Sequence, residues 1–191
     1  MKSITEIIQQ SIAVKAKIIY EPDIITAIGD IATICTESLS NGHKIMFCGN
    51  GGSAADAQHL AAELSGRFYL DRKPLAAEAL TVNPSYLTAV SNDYSFDDVF
   101  ARMVEGNGNG GDVLIGLSTS GNSENVVRAF EAAHRKSIVT VGLTGESGGR
   151  LALLSDFIIR VPSKDTPRIQ ESHIMIGHII CELIESNIFA E

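Results

Sequence analysis

From Lys44 onward, short apolar runs alternate with stretches of helical periodicity, and this alternation restricts the chain to very few folds. Continuous apolar runs that alternate with helices indicate a parallel sheet covered on both faces. Because crossovers between parallel strands are right-handed, we predict a doubly wound α/β fold, a three-layer α-β-α sandwich around a five-stranded parallel sheet. The predicted strands are 44–48, 75–80, 113–117, 138–143 and 157–161, and the predicted helices among and after them are 53–65, 95–105, 122–136 and 167–189.

The first 42 residues predict an α-helical hairpin ahead of this body. Isoleucines recur at helical spacing from Ile4 to Ile12, and a second series follows Pro22 and ends at Asn41-Gly42. Such a hairpin either covers the sheet or joins subunits in a bundle, and a second apolar patch at Val14, Ile18 and Ile19 favours a mixture of both. With no repeat or linker in the sequence, we expect one domain over residues 1–191, with 1–42 taking part in oligomerisation.

The charge balance and the cysteines exclude several classes of protein. Fifteen Lys and Arg against 23 Asp and Glu give a net charge of −8, with no basic run, so nucleic acid is not expected as a direct ligand. Cys35, Cys48 and Cys181 have no close spacing, which indicates neither a disulfide framework nor a cysteine zinc site. Polar residues interrupt the first ten positions, and the most apolar segment, 174–184, is too short to span a bilayer. We therefore expect a cytoplasmic protein with no membrane segment.

Two loops at predicted strand ends have the composition of phosphate-binding turns. The first, Gly49–Ala54, matches G-x-G-x-x-[GA] and leads into a helix, although a tight turn with no ligand is an alternative. The second, Ser118–Ser123, places four hydroxyl groups within six residues at a helix start, where a simple N-cap cluster is the alternative. A nicotinamide-dependent dehydrogenase would explain only the first loop, whereas a sugar phosphate explains both.

The candidate acid–base and metal-ligating residues lie on two predicted helices. His59 and Glu63 are four residues apart and so share one helix face. Three interpretations of this pair are open: a metal site, proton transfer with a substrate, or a surface contact without function. His178 lies among isoleucines, where a core histidine bonded to a carbonyl is an equal alternative. Gln170 precedes His178 by eight residues, about 12 Å of helical rise. If both bind one ion, the helix is irregular or a neighbouring subunit supplies one ligand.

Four motifs together resemble the phosphoheptose isomerase family within the sugar isomerase (SIS) domain superfamily, whose fold is flavodoxin-like. They are CGNGGSAADAQHLAAELSGRF, SNDYSF, LSTSGNSENV and RIQESHIMIGHII, in the family's order and over nearly the whole chain. The resemblance implies interconversion of sedoheptulose 7-phosphate and D-glycero-D-manno-heptose 7-phosphate, the entry to heptose for lipopolysaccharide, capsule or glycoprotein sugars. It also implies a homotetramer with intersubunit active sites and one zinc ion per subunit.

The resemblance assigns roles residue by residue. Its metal ligands fall on His59, Glu63, Gln170 and His178. Its substrate contacts fall on Asn50, Gly51, Gly52, Asn92, Asp93, Ser118, Thr119, Ser120 and Ser123, to which we add Ser53 at the phosphate, together with Glu63 and Gln170. One departure is Thr166-Pro167 before Arg168, where some members carry an acidic residue.

Aldose–ketose isomerisation needs a base and an acid that face the same two carbons, and we expect Glu63 and His178 in these roles. SIS-domain regulators that bind the bacterial replication initiator resemble the chain along its length but typically lack the Glu and His at these two positions. The presence of both residues favours the enzyme over a binding module. An isomerase for another ketose phosphate is the enzymatic alternative, since the motifs define the two ends of the sugar better than its length.

Overall fold

A computed structural model describes residues 2–189, and its centre is a five-stranded parallel sheet. The strands are β1 (Ile45–Gly49), β2 (Ala77–Ala79), β3 (Val113–Ser118), β4 (Val139–Gly145) and β5 (Phe157–Val161). Every neighbouring pair is parallel, and the strand order is β2-β1-β3-β4-β5. This is the flavodoxin-like order of a doubly wound fold. The predicted sheet is therefore confirmed, although β2 is shorter than the predicted run 75–80.

Eight α-helices surround the sheet within the described residues. They are α1 (Ile4–Ile19), α2 (Pro22–Ser40), α3 (Gly52–Ser65), α4 (Pro84–Asp93), α5 (Val99–Asn107), α6 (Glu124–Arg135), α7 (Leu151–Leu154) and α8 (Thr166–Phe189). The predicted helix 95–105 starts instead as a 3-10 turn over Phe96–Asp98 and continues as α5. Helices α4 and α7 were not predicted. A signal for α4 is nevertheless present, because Asn83 caps the helix by accepting the Tyr86 N–H, and Pro84 is the first helical residue.

Alternating strand side chains divide the core between the two faces of the sheet. Ile45 and Phe47 pack with α1, α2, α3 and α8, whereas Met46 and Cys48 pack with α4, α5, α6 and α7. This alternation is the two-residue period of a strand. The arrangement is the predicted three-layer sandwich, and the helical hairpin belongs to the first of its two outer layers.

The hairpin also presents an apolar surface to solvent. A reciprocal Ser3–Glu6 capping box begins α1, and Pro22 begins α2. Val14 and Ile18 of α1 are buried against the body, whereas Ile8 and Ile12 are 54% and 60% exposed. The covering part of the expected mixture is therefore present. Within the second apolar patch, Ile19 is exposed, unlike Val14 and Ile18.

The three cysteines are buried and form no disulfide. None of the helices among residues 2–189 has the length and apolar character that a bilayer-spanning segment requires.

The strand order defines where loops from two directions meet. Strands β1 and β3 are neighbours, but the chain leaves them toward opposite edges of the sheet. Ligands of open α/β folds bind outside the carboxyl ends of the strands at such a switch point. The two predicted phosphate loops follow β1 and β3, and so flank it.

Candidate active site

The loop after β1 requires glycine for two separate reasons. Gly51 has a φ of +55° at the N-cap of α3, in the left-handed region that favours glycine. A Cβ on Gly49 would lie 2.7 Å from the Ser53 carbonyl oxygen and 3.0 Å from that of Leu117. The loop therefore turns tightly where β1 meets α3, and the N–H groups of Ser53 and Ala54 donate back to the carbonyl oxygens of Asn50 and Gly51.

The side chain of Asn50 connects this loop to α6. Its Nδ2 donates to the side-chain oxygen Oδ1 of Asn125 at 2.9 Å, and Nδ2 of Asn125 donates back to Oδ1 of Asn50 at 2.8 Å. Asn125 is buried and also accepts the Val126 N–H. Asn125 was not among the predicted site residues, because its hydrogen bonds join it to a residue 75 positions away in the sequence.

The loop after β3 brings its hydroxyl groups to the edge of a cavity. The Oγ atoms of Ser118 and Ser123 are 2.8 Å apart. Gly121 has a φ of +66°, and a Cβ there would overlap the carbonyl oxygen of Gly148 in the next loop. The cavity has a volume of about 360 Å³ and is lined by Thr119, Ser120, Asn122, Gly145, Glu146, Ser147, Ser163, Lys164, Thr166 and Ile169. Several of its hydroxyl groups, from the loops after β4 and β5, were not anticipated.

A carboxylate and two imidazoles converge where α3 and α8 pack together. His59 Nε2 lies 3.0 Å from Glu63 Oε1 and 3.0 Å from His178 Nε2. One ligand atom from each of the three residues falls within 4.8 Å of the others. The Phe68 ring stacks on the other side of His178, with centroids 5.6 Å apart and an interplanar angle of 27°. Two nitrogens and one oxygen at this spacing form a group that accommodates a metal ion.

The alternative of a core histidine bonded to a carbonyl is wrong for His178 but describes His173. His173 is fully buried, and its Nε2 lies 3.1 Å from the Thr144 carbonyl oxygen. Burial lowers the pKa of His173 to about 4, although the bond to Thr144 opposes the shift. His178 is half-buried and has the His59 ring as its hydrogen-bond partner.

Helix α8 is continuous, and it keeps Gln170 apart from this cluster within one chain. The side chain of Gln170 lies against Gly52, where a Cβ would be 2.7 Å from its Nε2. Gly177 lies against Leu60, so α3 and α8 run in the same direction. Gln170 is therefore beside the start of α3, whereas His178 is beside its later turns.

Asn92 and Asp93 end α4 on the surface. Both are exposed, and the Asn92 amide donates to the Asp93 carboxylate at 2.9 Å. Among residues 2–189, neither of them hydrogen-bonds to a predicted site residue outside this pair.

Asp56 is a carboxylate near the cluster, and it was not among the predicted site residues. It lies one turn before His59 on α3 and is half-buried. Burial raises the pKa of Asp56, against the opposing influence of His59 and His178. The three-residue spacing to His59 was the available signal.

Comparisons with known proteins agree with the geometry. The SIS domain family model matches residues 9–145. The phosphoheptose isomerase of Aneurinibacillus thermoaerophilus is 53% identical over 182 residues, which cover 95% of this chain and 92% of that protein. That of Nitratiruptor sp. is 62% identical over 154 residues, 81% and 82% of the two chains.

Solved structures show the same relationship over almost the full length. The phosphoheptose isomerase of Francisella tularensis has a TM-score of 0.92 at 38% identity and covers 97% of this chain and 100% of its own. That of Neisseria gonorrhoeae has a TM-score of 0.90 at 43% identity, with 96% and 97% covered. The chain therefore belongs to the phosphoheptose isomerase family of SIS-domain proteins, and it is a sugar-phosphate isomerase.

Proposed function

We propose that this enzyme interconverts D-sedoheptulose 7-phosphate and D-glycero-D-manno-heptose 7-phosphate by moving a proton between C1 and C2. The observation that carries the proposal is the meeting of Glu63 and His59 from α3 with His178 from α8, at separations of 3.0 Å. Proton transfer between adjacent carbons needs such a base and acid on the same two atoms. Relatives with the same name support the choice of a heptose phosphate.

In the ketose-to-aldose direction, Glu63 takes a proton from C1 while His178 gives one to the carbonyl oxygen at C2. The product of this step is an enediol. Glu63 then returns the proton to C2, and His178 accepts the hydroxyl proton from O1, which becomes the carbonyl oxygen of the aldose. Both side chains end the cycle in their starting states, as a catalyst must. The Phe68 ring against His178 limits the directions from which water reaches that imidazole.

His59, Glu63 and His178 fit a divalent metal, and we propose zinc as the ion that they hold when Glu63 and His178 are not carrying a substrate proton. Two imidazole nitrogens and a carboxylate oxygen are donors that zinc prefers, and here His59 Nε2 lies 3.0 Å from each of the other two atoms. When bound, zinc supplies Lewis-acid polarisation of the sugar carbonyl.

We also propose that Gln170 joins this donor set from a neighbouring subunit, since within one chain it lies beside Gly52. This arrangement fits a homotetramer with intersubunit sites, in which the exposed isoleucines of the hairpin 1–42 pack against a neighbour. Co-expression of the Gln170→Ala and His178→Gln chains, each inactive alone, is expected to restore part of the activity in mixed assemblies. Mixed assemblies without activity would show that both side chains act within one subunit.

The cavity beside the Ser118–Ser123 loop suits the phosphate of the substrate. It offers hydroxyl groups from several loops and lies next to the start of α6, where free N–H groups favour an anion. We assign Ser53, with Asn50, Gly51 and Gly52, to further substrate contacts, since this loop follows β1, the neighbour of β3 in the sheet. We assign Asn92 and Asp93, which are exposed in one chain, to substrate contacts completed in the assembly.

A proton-exchange assay in D₂O with sedoheptulose 7-phosphate tests the reaction and the substrate together. We expect deuterium in the sugar with the native enzyme, and a loss of about 10²-fold or more in kcat with Glu63→Gln or His178→Gln. The matched controls are Glu182→Gln, an exposed carboxylate on α8, and His134→Gln at the far end of α6. No exchange with the native enzyme would refute the proposal and favour another ketose phosphate as the substrate.

Elemental analysis tests the metal separately. We expect about one zinc per subunit in protein purified without chelator, and a loss of zinc in His59→Ala. Protein that holds no zinc and gains no activity from added zinc would exclude the ion, while leaving the acid–base assignment intact.

A further inference from the structure

A buried ion pair lies behind the proposed reacting groups and takes no part in the contacts described so far. Arg72 Nε donates to Glu185 Oε1 at 2.9 Å, and the two side chains are only 3% and 2% exposed. Charged side chains are almost never buried this completely unless they are paired. The pair joins the segment after α3 to the last third of α8.

Glu185 holds the backbone of three consecutive residues. Its carboxylate accepts the N–H groups of Phe68 at 3.3 Å, Tyr69 at 2.8 Å and Leu70 at 3.0 Å. Burial opposes its ionisation, but these N–H groups and Arg72 hold the pKa of Glu185 below its usual value. A carboxylate with four such donors fixes the course of this segment.

Arg72 holds the end of α3. Its guanidinium donates to the carbonyl oxygens of Glu63 at 2.8 Å, Leu64 at 2.7 Å and Gly66 at 3.1 Å. Carbonyl groups at a helix end lack partners within the helix, and a cation is favoured there. Arg72 therefore restrains the turn that carries Glu63.

These contacts bear on both proposed catalytic side chains. The restrained segment carries Phe68, whose ring stacks on His178. A buried ion pair is seldom the most stabilising choice, since apolar residues of the same volume often do as well. The specific gain from Arg72 and Glu185 is the position of the groups around them.

We propose that Arg72 and Glu185 are positioning residues, which fix the α3 turn of Glu63 and press Phe68 against His178. This inference rests on the proposed function, because Glu63 and His178 matter as a pair only in that reaction.

Glu185→Gln tests the role, with Asp112→Asn as the matched control. Asp112 is likewise buried and accepts two backbone N–H groups, from Lys44 at 3.0 Å and Asn109 at 2.8 Å. It lies directly before β3, at the amino-terminal end of that strand. We expect Glu185→Gln to lower kcat by about 10-fold to 10²-fold with KM unchanged, the effect of a small misplacement of reacting groups. Asp112→Asn should lose thermal stability but keep its kcat. Equal kcat values for the two variants would overturn the proposal.

The NMR signal of His178 Cε1–H gives a readout that does not depend on activity. Because the Phe68 ring stacks on His178, we expect it to shift this signal upfield, and the spectrum of His178→Gln would identify the signal among the five histidines. We expect the signal to move in Glu185→Gln and to stay in Asp112→Asn. An unmoved signal in Glu185→Gln overturns the positioning role even if the native enzyme shows no turnover, whereas absent native turnover refutes only the proposed reaction.

If Glu185→Gln does not fold, Phe68→Leu tests the same link without leaving a buried charge unpaired. We expect the same loss in kcat with KM unchanged, and a native kcat in this variant would overturn the proposal.

Discussion

A close contact between α3 and α8 depends on the missing side chain of Gly177, and Gly177→Ala tests what that contact achieves. A Cβ on Gly177 would lie 2.5 Å and 2.6 Å from the two methyl carbons of Leu60. Leu60 and Gly177 are the sequence neighbours of His59 and His178. The contact that brings the helices together is therefore adjacent to the contact between the imidazoles.

The expected displacement follows from these distances. Carbon atoms in ordinary contact are about 3.5–4.0 Å apart, so Leu60 and the new methyl group must separate by roughly 1 Å. Leu60 is fully buried, and the gap that it lines with Gly177 has a volume of about 10 Å³, too small to receive a displaced side chain. We therefore expect α3 to move, which would lengthen the 3.0 Å contact between His59 and His178 by about the same amount.

Overpacking of this kind costs about 1–3 kcal/mol of stability. A misplacement of about 1 Å at a reacting centre lowers turnover by as much as about 10²-fold. We expect Gly177→Ala to show both effects, together with weaker zinc binding. Thermal unfolding, steady-state kinetics and zinc titration measure the three quantities.

Gly29→Ala is the control, because it changes a helical glycine of α2 whose Cβ would meet nothing within 4 Å. It should gain up to about 1 kcal/mol in stability from the higher helix propensity of alanine and keep native turnover. If Gly177→Ala also retains native turnover and zinc affinity, the close packing of α3 on α8 does not determine the geometry of the site.

Two further predictions concern groups outside the cluster. The folded pKa of His173, about 4, lies below its unfolded value of 6.5, so the unfolded chain binds the proton first and stability falls as the pH drops from 6.5 toward 4. At pH 5 the native protein should have lost about 2 kcal/mol that His173→Gln does not lose, and urea unfolding at pH 7.5 and pH 5 should reveal the difference. Asn125→Ala leaves the Asn50 amide without its partner, and since a polar group that loses its buried partner costs about 1–3 kcal/mol, we expect roughly a 10-fold loss in kcat/KM. A native kcat/KM in this variant would show that the amide pair does not hold the loop for the substrate.

The parallel sheet was predictable because its signal is local and strong. Each strand buried on both faces, such as Val113–Ser118, appears as an unbroken apolar run, and each turn into a helix carries glycine or hydroxyl residues. The two loops at the switch point followed directly from the strand order. Edge strand β2 has only three residues, and its run 75–80 was overestimated because only part of an apolar segment pairs with β1.

Helix α4 escaped prediction because its apolar positions are few. Val90 is its one buried residue, and with the partly buried Tyr86 and Leu87 it forms an apolar stripe of little more than one turn, too short for a period to be recognised. The short α7 has a similar cause, with Leu151 buried and Leu153 89% exposed. Capping residues alone, such as Asn83 before Pro84, were the only local indication of α4.

In the candidate site, too, the features that depend on local spacing were predictable from the sequence, whereas the long-range contacts were not. His59 and Glu63 share a helix face by their spacing, and that prediction needed no tertiary structure. His178 and His59 are 119 positions apart in the sequence, and their contact depends on how α8 packs on α3 at Gly177. No pattern in the sequence predicts the distance between two such residues. The Asn50–Asn125 and Arg72–Glu185 pairs are of the same kind.

The cluster lies toward the end of α3, whereas the proposed contacts of Gly52 and Ser53 with the substrate lie at its start. Glu63 lies eleven residues after Gly52, which at 1.5 Å per residue is roughly 16 Å from the loop at which the helix begins. The favourable field of a helix N-terminus falls off within its first turn, so an anion bound there and the proposed proton transfer would use different parts of α3. In the proposed complex, phosphate binding energy would hold the sugar in place for the reacting groups farther along the helix. The proposed reacting groups therefore lie on a helix–helix contact, whereas the ligand rule for doubly wound sheets, which points to the strand ends, accounts only for the proposed phosphate position.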